Sequence, residues 1–133
     1  MNRFAVRGSG VACLAVAVTV LLLSCTTQMQ VTVERMEVPH DFQPKPDDHE
    51  VLVLQANDSP PTNALLIARL KLRDTGLTVD CGYERVLGEA MAEARELGGD
   101  LIQLVRVYPP DLQSSCYRLN ADVYALAPGE TPE

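Results

Sequence analysis

No proline falls between residues 62 and 108; all nine lie outside that window, at positions 39, 44, 46, 60, 61, 109, 110, 128 and 132. Proline removes a backbone donor and fixes φ, so a window without it can hold continuous regular structure. Inside the window Tyr83, Val86, Leu87, Ala90, Met91, Ala94 and Leu97 recur at steps of three and four. They make one apolar stripe, with Glu84, Arg85, Glu89, Glu93 and Glu96 opposite, and the spacing predicts a helix over 83–97. Gly98 and Gly99 supply its left-handed stop. Gly88 sits mid-helix at a cost of about 1 kcal/mol against Ala, which points to a close helix–sheet approach there.

The flanking segments read as strands. Residues 50–56 (EVLVLQA) are a short apolar run between turn formers. Within 64–73 (ALLIARLKLR), Ala68, Leu70 and Leu72 alternate with Arg69, Lys71 and Arg73, a period of two that marks a half-buried strand. Asp74-Thr75-Gly76 turns the chain, and Leu77-Thr78-Val79 adds a possible short strand. Residues 101–108 (LIQLVRVY) are apolar on both faces and suit a central strand, and residues 116–126 alternate again. The expected fold class is α+β: a small two-layer sandwich in which one helix covers an antiparallel sheet of about four strands, ββαββ. Residues 26–49 are polar and proline-punctuated and read mostly as a tether, which as a flexible coil would hold the domain roughly 25–30 Å from its attachment point. Val31–Val38 has enough β character to leave an early strand open.

Charge narrows the partners. The chain has 11 Lys and Arg against 18 Asp and Glu, net −7. Only Arg3 and Arg7 lie in the first 24 residues, with no acid, so the remainder carries 9 bases against 18 acids, net −9. That balance argues against nucleic acid and against anionic lipid headgroups, whose binding rests on Lys and Arg. The one basic stripe is Arg69, Lys71 and Arg73. It is either a solvated strand face, which also guards an edge from aggregation, or a contact for an acidic partner or anionic wall polymer.

The N-terminus reads as an address. Arg3 and Arg7 precede 13 residues (11–23, VACLAVAVTVLLL) that are apolar apart from Thr19. A bilayer-spanning helix needs about 20 apolar residues, so this is a secretory signal. It ends in Leu22-Leu23-Ser24-Cys25, which resembles the bacterial lipobox; a plain signal peptide with an incidental cysteine is the competing reading. The resemblance implies a diacylglyceryl group on Cys25, cleavage before it, and acylation of the new amine. It also implies that Thr26, standing where Asp would retain the protein at the inner membrane, favours the outer membrane facing the periplasm. The expected layout is a lipoprotein signal peptide at 1–24, a lipidated N-terminus and flexible linker at 25–49, a globular domain at 50–127 and a polar tail at 128–133.

Of four cysteines, Cys13 leaves with the leader and Cys25 takes lipid, so Cys81 and Cys116 remain as an even pair in an exported domain and are expected to form a disulfide, with two separate free thiols as the competing reading. Two ligands without a nearby His make no zinc site, and the spacing is not that of a redox pair.

From Cys81-Gly82-Tyr83-Glu84, through Glu93-Ala94-Arg95-Glu96-Leu97-Gly98-Gly99-Asp100-Leu101-Ile102, to Ser115-Cys116-Tyr117-Arg118-Leu119, the chain resembles small bacterial envelope lipoproteins. More distantly it is similar to the Rcs-type envelope stress sensor lipoprotein and to YbjQ-like domains once labelled metal binders. The stress sensor carries four disulfide cysteines where this domain has two. No catalytic constellation stands out. Glu89 and Glu93 lie on a solvated helix face, Ser114 and Ser115 lack a base, and no glycine loop cradles phosphate. His40 and His49, with Asp41, Asp47, Asp48 and Glu50, form an acidic stretch readable as a metal-binding tether or a solvated linker. Tyr108, Tyr117 and Tyr124 offer either a stacking surface or core and edge packing. The expectation is a non-catalytic, lipid-anchored interaction domain, without cofactor or metal, contacting the membrane through Cys25 and an envelope protein or cell-wall polymer through its fold. The alternative is an envelope sensor, or a metal- or small-ligand-binding lipoprotein.

Overall fold

The computed structural model describes residues 29–76 and 80–127. Cys25 and its lipobox, the possible strand at 77–79 and the polar tail at 128–133 lie outside the described residues. The elements are β1 (Gln30–Arg35), β2 (Leu52–Leu54), β3 (Ala64–Arg73), α1 (Tyr83–Glu96), β4 (Leu101–Tyr108) and β5 (Arg118–Leu126). They form one sheet in the order β1-β3-β5-β4-β2 with α1 packed on one face. This is the α+β two-layer sandwich read from the sequence, with two corrections. The sheet has five strands, and it is mixed: β2 runs parallel to β4, pairing Leu52 with Leu101 through Leu54 with Gln103, while the other pairs are antiparallel.

The helix layer follows from residue size. Val86, Ala90 and Ala94 are fully buried, and two alanines in successive turns let the helix backbone come close to the sheet. Beneath them lie Ala68, Leu70 and Leu72 of β3, Ile102 and Leu104 of β4, and Leu119, Ala121, Val123 and Ala125 of β5, all in one core. Each fully buried Val, Leu or Ile among them contributes about 1.5–3 kcal/mol. Gly88 is not the point of close approach. It is exposed, and an added Cβ there would meet nothing within 4 Å. The tight contact is at Gly99, where a Cβ would stand 2.5 Å from Val123 Cγ1.

The segment expected to be mostly tether is part of the domain. All six residues of β1 pair with β3, from Gln30 opposite Arg73 to Arg35 opposite Ala68. Val31 and Val33 pack against the core. Beyond β1 the chain straps across the C-terminal end of α1. Phe42 packs on the core, the Lys45 N–H donates to Arg95 O at 2.8 Å, and Arg95 Nε donates to His49 O at 2.7 Å. Three prolines rule out helix in this strap but do not keep it from packing. The folded part therefore begins by Met29 rather than Glu50.

Cys81 and Cys116 form the expected disulfide, with Cα atoms 5.0 Å apart. It joins the entrance of α1 to the loop before β5. That strand starts at Arg118 and not at Cys116, because the Tyr117 N–H is taken by Cys81 O. No helix among the described residues is long and apolar enough to cross a membrane.

Candidate functional site

The sheet face away from α1 is open, and its residues follow from the register. Four rows cross it. The first holds Leu66, Tyr124, Leu101 and Leu52; the second Glu34, Arg69, Asp122 and Gln103. The third holds Thr32, Lys71, Asn120 and Arg106; the fourth Gln30 and Arg73 on one side, Arg118 and Tyr108 on the other. The face is thus apolar at one end and cationic at the other. The basic stripe Arg69, Lys71 and Arg73 is extended across the sheet by Arg106 and Arg118, which hydrophobic periodicity alone did not bring together. Five of the nine cations downstream of residue 24 stand here, while Glu34 and Asp122 are the carboxylates at strand positions of the same face.

Those two acids serve the second row. Arg69 Nε lies 3.6 Å from Asp122 Oδ1. Burial pushes the Asp122 carboxyl above its ordinary value, Arg69 pulls it down, and Glu34 pushes it up; burial wins because the ion pair is long. Below this row the cations outnumber their partners. Arg118 donates from Nη2 to Asp111 Oδ2 at 2.6 Å. The Asp111 carboxyl is held below the ordinary value by the Gln113 N–H and then by Arg118. The guanidinium carbons of Arg106 and Arg118 lie 5.1 and 5.5 Å from the centre of the Tyr108 ring, so one aromatic serves two cations. Arg118 Nε is buried with no hydrogen-bond partner. Among the described residues, Lys71, Arg73 and Arg106 form no ion pair. A recess of about 370 Å³ opens here, lined by Arg73, Tyr108, Asp111, Gln113, Arg118 and Asn120 among others. Its rim is the loop at 109–115. Asp111 Oδ1 accepts from the Gln113 and Ser114 N–H groups, and Ser114 Oγ donates to Asp74. The two prolines and this turn present Leu112 wholly to solvent.

The opposite end is organised by Asp100, whose role sequence reasoning missed. Its Oδ1 accepts from Lys45 Nζ and His49 Nε2, both at 3.0 Å, and its Oδ2 from the Leu126 N–H at 2.9 Å. Its backbone joins Leu52 and Tyr124. One residue thus ties the strap and the end of β5 through its side chain and β2 through its backbone. Burial raises its carboxyl, but the Leu126 N–H and Lys45 outweigh that, and the net position is below the ordinary 3.8. The available signal was an acid placed directly after Gly98-Gly99 and before a strand. A depressed carboxyl stabilises the fold above its ordinary value and loses that contribution as pH falls through the depressed one. Asp100→Asn is therefore expected to lower stability by about 1–2 kcal/mol at neutral pH. The gap to the wild type should begin to narrow as pH falls below about 4, and urea titrations at pH 7 and at pH 3 check it. A gap that persists unchanged at pH 3 would show that charge is not what Asp100 contributes. Beside it a groove of about 420 Å³, mainly apolar, is lined by His49, Leu52, Pro61, Asp100, Leu101 and Leu126 among others.

The other candidates are absorbed by the fold. His49 serves Asp100, and His40 meets Phe42 edge-on at 6.2 Å. No three His, Cys, Asp or Glu side chains gather as a metal site among the described residues. Glu89 pairs with Arg85 at 2.7 Å, and Glu93 has its carboxyl raised by burial and by Glu96. Ser114 Oγ accepts the Cys116 N–H. Tyr117 packs edge-on against Tyr83, and the Tyr124 hydroxyl donates to Gln103. The tyrosines do not form a stacking platform. The chain matches no known protein family, no curated protein and no solved structure. The functional reading therefore rests on the residues themselves.

Proposed function

We propose that this chain is a lipid-anchored protein of the bacterial envelope whose small disulfide-bonded domain is a non-catalytic interaction module. The observation that carries the reading is the segregation of charge: a chain that is net −9 after its leader places five of its nine cations on one uncovered sheet face. Such a face favours an anionic partner, since complementary potentials steer association and suppress wrong partners. The anchor rests on the leader and on Cys25 at the end of Leu-Leu-Ser-Cys. Two or three acyl chains would make attachment effectively permanent, where one is marginal. An acidic envelope protein, an anionic wall polymer and the bilayer surface all have the required chemistry.

Two measurements test this. Metabolic labelling with a clickable palmitate is expected to mark the wild type and to fail with Cys25→Ser; equal labelling of both sinks the anchor. A photo-crosslinking residue at position 71, on the open face, is expected to capture an envelope component in cells, while the same residue at position 89, on the helix face, captures none. Equal capture from both positions would remove the open face as the contact.

A further inference from the structure

The geometry points to the anionic partner of the open face: it is the headgroup layer of the bilayer in which the anchor sits. This inference rests on the lipid at Cys25 proposed above. With a flexible tether of two dozen residues the domain could take any orientation at a distance. The fold removes that freedom. β1 begins at Gln30, five residues after Cys25, and five residues fully extended reach at most about 17 Å. The end of β1 nearest the anchor is fixed by register, because Gln30 lies opposite Arg73. That is the cationic end of the open face. Lys71, Arg73, Arg106 and Arg118 stand on the two rows nearest it, and the apolar row at Leu66 and Tyr124 lies roughly 20 Å away.

Three features on this end suit a charged interface. Lys71, Arg73 and Arg106 have no ion-pair partner among the described residues and are exposed. Asp111 is engaged by Arg118, and Asp74 accepts from Ser114 Oγ and from the Gly76 N–H, so these two carboxylates hold loops in place. Leu112 projects from the rim of the recess, fully exposed on a turn that its own hydrogen bonds fix. A cationic patch beside a protruding apolar side chain is the composition of a surface that rests on headgroups and dips one residue among the acyl chains. The acidic helix face, with Glu84, Glu89, Glu93 and Glu96, then points away. The net charge of −9 argued against anionic lipid only so long as it was taken as evenly spread.

The chain has no tryptophan, so Leu112→Trp makes a single fluorescent reporter, and Thr62→Trp, exposed at the far end of β3, makes its control. The processed full-length protein, extracted from membranes, is reconstituted into vesicles of phosphatidylglycerol and phosphatidylcholine bearing brominated acyl chains, and its intact mass reports the lipid on Cys25. The expected result is quenching of the indole at position 112 and not of the one at position 62, lost in pure phosphatidylcholine and at high salt. Lys71→Gln and Arg106→Gln are expected to weaken the face-down state about fivefold per charge. A lipidated, vesicle-bound chain whose indole at position 112 stays in water overturns this inference and leaves the anchor standing; an acidic protein or wall polymer then becomes the occupant. A chain without lipid that stays off the vesicles overturns the anchor and this inference with it.

Discussion

Replacing both Cys81 and Cys116 by serine is expected to lower the free energy of unfolding by about 3–4 kcal/mol. The crosslink closes a loop of 35 residues, and loop-closure entropy in the unfolded chain gives that magnitude. Domains of this size are stable by only about 5–15 kcal/mol in all, so the loss is a large share. The position adds a local effect. Gly82 caps the N-terminus of α1 without any side-chain hydrogen bond, so the first turn depends on Cys81 being held against Cys116 and on the Tyr117 N–H to Cys81 O bond at 3.1 Å. The double variant should lose helicity in that turn before the sheet melts. Urea unfolding followed by circular dichroism should show the midpoint falling by about 1–3 M, and wild type reduced with dithiothreitol should fall with it. Coincident curves for oxidised and reduced wild type would show that the bond constrains nothing.

The second large effect is at Gly98. Its φ of +83° lies in the left-handed region, and its N–H closes the helix by donating to Arg95 O. A side chain there is strained by the backbone alone, at about 1–3 kcal/mol. It would also meet the strap, since an added Cβ would lie 2.7 Å from Gln43 O and 2.8 Å from Phe42 Cβ. Backbone cannot move aside as a flexible side chain can. Gly98→Ala is therefore expected to cost about 2–4 kcal/mol and to loosen residues 42–49, seen as faster amide exchange at Lys45. Gly88→Ala, in open space on the same helix, should be neutral or stabilising by about 0.5–1 kcal/mol. If the two variants behave alike, the strap does not lean on the helix end as described.

The elements that could be read from the sequence were those whose pattern is local. The stripe over 83–97 and the alternation over 64–73 translate directly into burial, and β3, β4 and α1 fall at or within a residue of their expected bounds. What sequence pattern could not supply was pairing between distant segments. β1 is buried only through Val31 and Val33 against β3, about 40 residues on, and nothing within 26–49 announces that partner. The parallel course of β2 beside β4 rests on three residues and on Asp100 O accepting the Leu52 N–H. The candidate face was half legible. Arg69, Lys71 and Arg73 share a face by simple alternation, but Arg106 joins them only because a bulge at Val105 re-phases β4 between Leu104 and Arg106. Lys45, His49 and Leu126 meet on Asp100 from segments too far apart for any spacing rule.

The place of β5 sets the timing of folding. It is the central strand and follows the other described strands along the chain, pairing with β3 on one side and β4 on the other. A nascent chain that ends before Arg118 therefore holds two halves with no ladder between them: β1 with β3, and β2 and the helix with β4. The core that β3 and β4 share is bridged only when residues 118–126 arrive between them, so the two halves lock together through a single strand.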